Sequence, residues 1–359
     1  MKIGIDYQTA TGEKTGFGFY VENLVKNLKI VDKTNEYFLF KPNSKEDFNT
    51  PKRFWWDQAV IPYKALRNKV DILHQPAFSA PLLYPGKIVV TINDLIAMFI
   101  GEDIPFISRQ YFGRWMPLTH KRADHIIAIS EHTKKDVISL LKIPENKITV
   151  IHLAANENFK PERDKNKLDK IKKKFYTGDH FFLHIGTITP RKNLEFIVRA
   201  FSDLAKNEND CKLVIAGKKG WFYEKLNEIV EKLGLVNHVI FTGYITEEEK
   251  ILLYNASIAL VFPSIYEGFG FPPLEAMNCG APVIASHASS IPEVVGEAGI
   301  LLDPNDQYAW AQAMKQVMTL GSLRKKMISD GFKQAKKFSW KKTAEKTVRV
   351  YEQVYKVER

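Results

Sequence analysis

Cysteine is nearly missing from this chain. Only Cys211 and Cys279 occur, far apart and without neighbouring ligand patterns. That excludes a disulfide framework and a cysteine-based zinc site, and it fits a reducing compartment. No apolar run approaches the roughly 20 residues of a membrane-spanning helix, because "KIVVTINDLIAMFIG" is broken by Asn93 and Asp94. The opening "MKIGIDYQTATG" lacks the apolar core and cleavage site of a signal peptide, so a cytoplasmic protein is expected. There is no Asp-x-Asp and no His/Cys/Asp cluster with metal spacing. RNA-binding aromatic motifs, zinc fingers and long basic arms are lacking too, so nucleic acid is not an expected partner. No internal repeat of solenoid period is visible.

What is present is an ordinary globular balance, 45% hydrophobic and 26% charged over 359 residues, enough for about two domains. The net charge of +11 suits a phosphorylated small molecule or an anionic membrane face. A basic enzyme that is merely soluble is the plainer reading. The continuous β-branched runs "KIGID", "DILHQ", "KIVVTIND" and "HIIAIS" predict buried parallel strands, with helical patterns between them. After the polar, lysine-rich "NENFKPERDKNKLDKIKKKF" the alternation restarts with "FFLHIGT", "KLVIAG", "HVIFTG", "IALVFPS" and "APVIAS". The α/β reading is two doubly wound Rossmann-like domains, 1–162 and 163–339, facing across a cleft that holds the ligand. The last segment, about 340–359, is a long helical pattern, and a return to the first domain is one course open to it.

The segment "EGFGFPPLEA" carries most of the chemistry. Gly268 and Gly270 permit backbone geometry closed to other residues, and Pro272 and Pro273 suit a first helical turn. A glycine loop feeding a helix N-terminus is an anion site, well matched to a diphosphate. Glu267 and Glu275 flank it. One reading makes Glu275 a complement to the helix dipole and Glu267 a turn cap. The other has them accept hydrogen bonds from neutral hydroxyls, which sugars supply.

The E-x7-E spacing, followed by "AMNCGAPVIASHASSIPEVVGEAGILLDP", resembles the family 4 retaining glycosyltransferases of the GT-B fold. "HIGTITPRKNLEFIVRAF", "LVIAG", "IIAISEHTKKDV" and "IGIDYQTATGEKTGFGFYVENL" are similar to the same family, so the resemblance covers nearly the whole chain. It is closest to the mannosyl- or rhamnosyltransferase-like branch of bacterial surface polysaccharide assembly. The resemblance implies that Glu267 accepts from donor-sugar hydroxyls and Glu275 holds the ribose hydroxyls. It implies that Gly268, Phe269, Gly270, Phe271 and Leu274 line the donor, with Gly186, Thr187, Gly217, Lys218, Tyr244 and Ile245 at the ends of neighbouring strands.

In "GTITPRKN" Gly186 closes a strand, and the adjacent cations Arg191 and Lys192 suit the charge of a departing nucleoside diphosphate. The plainer reading is a solvated basic pair. The family usually has an arginine directly after the strand glycine; Thr187 stands there, and Arg191 is expected to compensate. With no metal ligand set, leaving-group charge falls to Arg191, Lys192 and the helix end, so no metal and no cofactor are expected.

The loop "TGEKTGFGF", with Gly12, Gly16 and Gly18, lacks the third glycine of the dinucleotide fingerprint, which disfavours a nicotinamide dehydrogenase. By resemblance the loop approaches the reacting phosphate and the acceptor. Asn93 takes a place where the family commonly has a histidine, and asparagine cannot take a proton at neutral pH. Asp94 beside it is a nearby carboxylate, or it caps the following turn. His74 ends a strand as an acceptor candidate, ahead of His120, His125 and His152.

Tryptophans and tyrosines interleaved with basic residues in "RFWWDQAVIPYKALRNK" and "FISRQYFGRWMPLTHKR" suit an anionic inner-leaflet membrane surface, or are core aromatics beside solvated lysine. The resulting expectation is a retaining transfer of a hexose, mannose- or rhamnose-type favoured. The donor is a nucleotide diphosphate sugar and the acceptor a saccharide or polyprenyl-linked saccharide. A nucleotide-sugar epimerase of the same fold and a non-catalytic nucleotide-sugar-binding protein are the rivals.

Overall fold

The computed structural model describes residues 1–11, 16–42, 48–99, 106–206, 208 and 210–357. It divides into two units: Met1–Ala154 with Ser339–Arg359, and Ala155–Phe338.

The first unit holds β1 (Lys2–Asp6), β2 (Glu36–Phe40), β3 (Ile72–Gln75), β4 (Lys87–Ile92), β5 (His125–Ala128) and β6 (Ile148–Val150). They form one parallel sheet in the order β2-β1-β3-β4-β5-β6. The second unit holds β7 (His180–Ile185), β8 (Cys211–Ala216), β9 (Val239–Gly243), β10 (Ala259–Phe262), β11 (Val283–Ser286) and β12 (Ile300–Leu302), in the order β12-β11-β10-β7-β8-β9. All the pairings are parallel. Every run read as a strand forms one. The strands the sequence reading did not separate are β2, β6 and β12, each at a sheet edge and half-exposed over most of its length. Central strands such as β3, β5, β10 and β11 are buried at every residue, which is why they read as continuous apolar runs.

The segment after β6 is tied to the second unit. Asn255 accepts from the Glu162 N–H at 2.7 Å and donates to the Lys160 carbonyl at 3.2 Å. The C-terminal helix Trp340–Lys356 belongs to the first unit. Its Tyr351 hydroxyl lies 2.6 Å from His74 Nδ1. Lys87 Nζ donates to the carbonyls of Val354, Tyr355 and Val357 at 3.0, 2.8 and 2.6 Å, placing a cation at the helix C-terminus, where the dipole favours one.

In the second unit the strand order reverses between β7 and β10, since β8 and β9 lie to one side of β7 and β11 and β12 to the far side of β10. At such a switch point the loops leaving neighbouring strands run in opposite directions and open a crevice at the carboxyl ends. Past the strand ends the chains stay close. The Gly186 N–H donates to the Ala216 carbonyl and the Gly217 N–H to the Gly243 carbonyl, both at 2.9 Å. Gly217 has φ +150°, and a Cβ there would sit 2.1 Å from the Gly186 carbonyl oxygen. Gly217→Ala is therefore expected to lower the unfolding free energy by at least about 2 kcal/mol, the scale of overpacking combined with backbone strain. Urea denaturation of the variant against the parent chain measures it.

Candidate active site at the switch point of the second sheet

Loops leaving β7 and β10 bring three charged side chains together. After β7, residues Pro190–Lys192 form a short 3-10 turn, and Asn193 in the left-handed region redirects the chain into the helix Leu194–Ala205. The two cations thus sit in a turn before the helix rather than in its first turn. After β10 the chain passes through Glu267 and the glycine loop. The Ile265 N–H donates to the Arg191 carbonyl at 2.9 Å and joins the two loops.

Lys192 Nζ lies 2.5 Å from Glu267 Oε1, and Arg191 Nη1 2.9 Å from Glu267 Oε2 and 3.1 Å from the Tyr266 carbonyl. Side-chain exposure is 7% for Lys192, 11% for Glu267 and 33% for Arg191. Burial alone would raise the Glu267 carboxyl, but Lys192 and then Arg191 outweigh it and hold the group below its ordinary value. Burial pulls the Lys192 ammonium below its ordinary value despite Glu267. The Lys192 ammonium also sits 4.8 Å from the centre of the Phe262 ring, a cation–π contact. Gly186 has φ +156°, which side chains rarely adopt, and a Cβ there would press on Lys192 Cε at 3.1 Å.

The main chain of Glu267 is held as firmly. Its N–H donates to Ser289 Oγ at 3.1 Å, and its carbonyl accepts from Ser289 Oγ at 2.6 Å and Ser290 Oγ at 2.8 Å. Ser290 Oγ also reaches the Phe269 carbonyl at 2.9 Å. Gly270 then adopts φ 111° before the helix Phe271–Cys279, with proline in its first turn. Proline removes donors from that turn, so the N–H groups left at the helix start are those of Gly270 and Phe271.

Glu275 is in a second network that shares no residue with the first. Its Oε1 accepts from Lys250 Nζ at 2.8 Å and its Oε2 from the Tyr254 hydroxyl at 2.9 Å. Burial, then the neighbouring Glu275, push the Tyr254 phenol well above its ordinary value, so it stays a donor. A carboxylate has about four acceptor positions, so two bonds leave capacity for further hydroxyls.

Thr187 and Lys218 are exposed beside these loops, with Lys218 Nζ 5.5 Å from the centre of the Tyr244 ring. Ile245 is buried. The Leu274 side chain is fully buried and packs into the core, and its N–H donates to the Gly270 carbonyl at 3.4 Å.

The remaining candidates belong to the first unit. His74 is not available to an acceptor. It is fully buried, with Nδ1 on Tyr351 and Nε2 2.9 Å from Thr91 Oγ1, and burial pushes its pKa down to about 3. Asp94 accepts from the Ile96 N–H at 3.1 Å, the turn-capping alternative. Asn93 Nδ2 donates to the Pro76 carbonyl at 3.2 Å. Asn93 and Asp94 line a cavity of about 180 Å³ with Phe17, Phe78, Phe112 and His120, so His120 rather than His74 is the histidine at this strand end. Gly16 and Gly18 lie in the helix Gly16–Val31, while Gly12 falls outside the described residues.

Sequence reasoning missed Ser289, Ser290, Lys250, Tyr254, Phe262 and His184. The adjacent serines before "IPEVV" and a histidine inside the apolar run "FFLHI" were the available signals. Among the described residues no group of three His, Cys, Asp or Glu could hold a metal ion.

Two six-stranded parallel sheets, with a cation–carboxylate cluster and a helix N-terminus at one switch point, define a nucleotide-sugar glycosyltransferase of the GT-B fold. A crystal structure of a glycosyltransferase from Rickettsia africae ESF-5 superposes with a TM-score of 0.75 at 22% identity, over 99% of both chains. Residues 36–159 match the family described as Glycosyltransferase Family 4, and residues 165–334 match Glycosyl transferases group 1. O-antigen chain mannosyltransferase B of Escherichia coli is 32% identical over 289 residues, 80% of this chain and 76% of the relative. The serotype-specific mannosyltransferase WbdA of Escherichia coli is 33% identical over 269 residues, 72% of this chain, which spans only 32% of WbdA's length. The chain belongs to glycosyltransferase family 4.

Removing Lys192 takes one of two cations from the buried Glu267 carboxylate and leaves it paired with Arg191 alone. Lys192→Met is expected to lower stability by about 2 kcal/mol at neutral pH, the scale of losing one hydrogen bond to a charged group. Because the Glu267 carboxyl is depressed in the folded state, its contribution is fully present above the unfolded value of about 4.3 and lost as pH falls through the lower folded value. The gap between variant and parent is therefore widest above about pH 4.3 and closes below it. Denaturant titrations at several pH values measure that gap.

Proposed function

We propose that this enzyme transfers a mannosyl residue, with retained anomeric configuration, from a nucleoside diphosphate mannose to a hydroxyl of a lipid-linked saccharide. The observation that carries the reading is the Arg191–Glu267–Lys192 cluster at the switch point, since it pairs two cations for a diphosphate with a carboxylate for sugar hydroxyls. Mannose is favoured because O-antigen chain mannosyltransferase B, at 32% identity, is named for that sugar.

In this reading the diphosphate rests against the Gly270 and Phe271 N–H groups, and its leaving oxygen faces Lys192 and Arg191. Glu267 accepts from a hydroxyl of the sugar, and Glu275 adds ribose hydroxyls to its bonds with Lys250 and Tyr254. The bond from the anomeric carbon to the phosphate oxygen breaks, and the acceptor oxygen attacks on the same face. Its proton passes to the departing phosphate, so no protein base is needed. The cations supply the charge stabilisation a metal would otherwise give.

Lys192→Ala is expected to lower kcat by about 10²-fold, the scale of losing one transition-state charge partner. Chelator is expected to leave activity intact. Assays with GDP-, UDP-, ADP- and dTDP-linked mannose identify the donor. Chelator-abolished activity that magnesium or manganese restores would refute the cation assignment.

A surface of exposed aromatics and cations on the first unit supports the lipid-linked acceptor. Two helical stretches, 50–67 and 106–120, lie side by side through a Phe54–Trp115 ring contact at 5.3 Å and a Thr50–Ser108 hydroxyl pair at 2.8 Å. Each contains a π-helical turn, Trp56–Val60 and Tyr111–Trp115. They expose Trp55 at 66%, Tyr63 at 62% and Phe106 at 67%, with Lys52, Arg67 and Arg114 also exposed. Amphipathic aromatics beside cations suit the interface of an anionic bilayer. No helix among the described residues is long and apolar enough to cross a membrane. Sedimentation with vesicles containing anionic lipid is expected to bring the enzyme down. The Trp55→Ser/Phe106→Ser double variant is expected to bind at least about tenfold more weakly, with activity on a soluble acceptor retained.

A further inference from the structure

His184 lies in β7, one of the strands that make the switch point, and it is fully buried. A histidine is an expensive choice there if packing were its only task, because a buried ring nitrogen without a partner carries a desolvation cost. Nδ1 lies 3.1 Å from the Val261 carbonyl, which can only accept, so Nδ1 bears the proton. Nε2 is then a bare lone pair, and it has no hydrogen-bond partner among the described residues. Burial first, and then the nearby Lys192 charge, push the His184 pKa down to about 3, so the ring is neutral throughout the physiological range.

The position of that lone pair matters. A Cβ placed on Gly186 would lie 3.4 Å from His184 Nε2 and 3.4 Å from Lys192 Nζ. Both nitrogens therefore border the small space beside Gly186, and the Lys192 charge is felt at the imidazole. The His184 ring stacks on Phe262, with centroids 5.8 Å apart and 13° between planes, and the same Phe262 ring carries the Lys192 ammonium. The groups acting on that ammonium are thus Glu267 from the loop after β10, Arg191 beside it, the Phe262 face and the negative end of the His184 dipole.

We propose that His184 is a positioning residue for the transfer reaction: its neutral, fixed imidazole dipole holds the buried Lys192 ammonium in its charged form, aimed at Glu267 and the leaving phosphate. An unpartnered acceptor nitrogen close to an ammonium favours the protonated amine, opposing the desolvation that favours the neutral one. The inference rests on the reading that Lys192 meets the leaving group, and its test separates the two.

Lys192 is titrated directly by NMR of its side chain in the unliganded enzyme, and the alkaline limb of kcat/KM for the donor is recorded alongside. His184→Phe keeps the stacking on Phe262 and removes the lone pair. It is expected to lower the Lys192 midpoint by about one pH unit and to move the alkaline limb in the acid direction by the same amount. His184→Gln restores an acceptor near the Nε2 position and is expected to return both most of the way. His184→Asn keeps the donor to Val261 but lacks the distal acceptor. It is expected to behave like His184→Phe and replaces it if the phenylalanine variant does not fold. A midpoint that moves while the rate profile stays put supports the role of His184 and removes Lys192 from the leaving group. Unchanged Lys192 titration in a folded His184→Phe or His184→Asn variant overturns the proposal and leaves His184 a packing residue.

Discussion

A carboxylate shared by two cations, in a place nearly closed to water, is the constraint around which the second unit is arranged. Glu267 bonds Lys192 through one oxygen and Arg191 through the other. Buried charges of this kind survive only when each is paired and the geometry is well held. The neighbouring residues supply that hold: Ser289 and Ser290 pin the Glu267 main chain, and Gly186 leaves the space through which Lys192 passes. Phe262 offers the ammonium an aromatic face, 4.8 Å from its ring centre. With two cations and one carboxylate, the cluster carries one net positive charge.

The same physics separates the two glutamates of the E-x7-E spacing. Glu267 is in an irregular loop, where its carboxylate can turn toward the β7 loop. Glu275 is one turn into a helix, where its side chain is directed at the packed helix Glu247–Ala256 and meets Lys250 and Tyr254. Equal residue types at a fixed spacing thus have unequal freedom. The loop carboxylate is held by two cations that follow β7, the helical one by a lysine and a buried tyrosine of the neighbouring helix.

In the first unit, buried polar groups are mostly spent on holding elements together. Tyr20, Thr91, His74 and Tyr351 form a hydrogen-bonded chain that ties the helix Gly16–Val31, β4, β3 and the C-terminal helix to one another. Arg53 sits between Asp6 and Asp57, and the Tyr111 hydroxyl donates to Asp57 at 2.6 Å, so the two π-helical stretches are fastened to each other and to the end of β1. Burial pushes the Asp57 carboxyl up to about 6 in spite of Arg53. These interior bonds anchor the segments whose outer faces carry the exposed aromatics.

The architecture was largely legible in the sequence, because strands buried on both faces must be continuous apolar runs, as "KIVVTI" and "HIIA" are. The edge strands β2, β6 and β12 escaped because a half-solvated strand carries a weaker pattern. The glycine loop, the double proline and the adjacent cations were readable for a similar reason, since backbone conformation and charge are local properties. What local sequence does not contain is the direction of a side chain and the identity of its distant partner. That His74 closes on Tyr351, 277 residues away, and that Leu274 turns into the core, follow from packing. Whether a polar residue at a strand end meets a ligand or another residue is decided by which elements the sheet brings beside it, and only the tertiary structure specifies that.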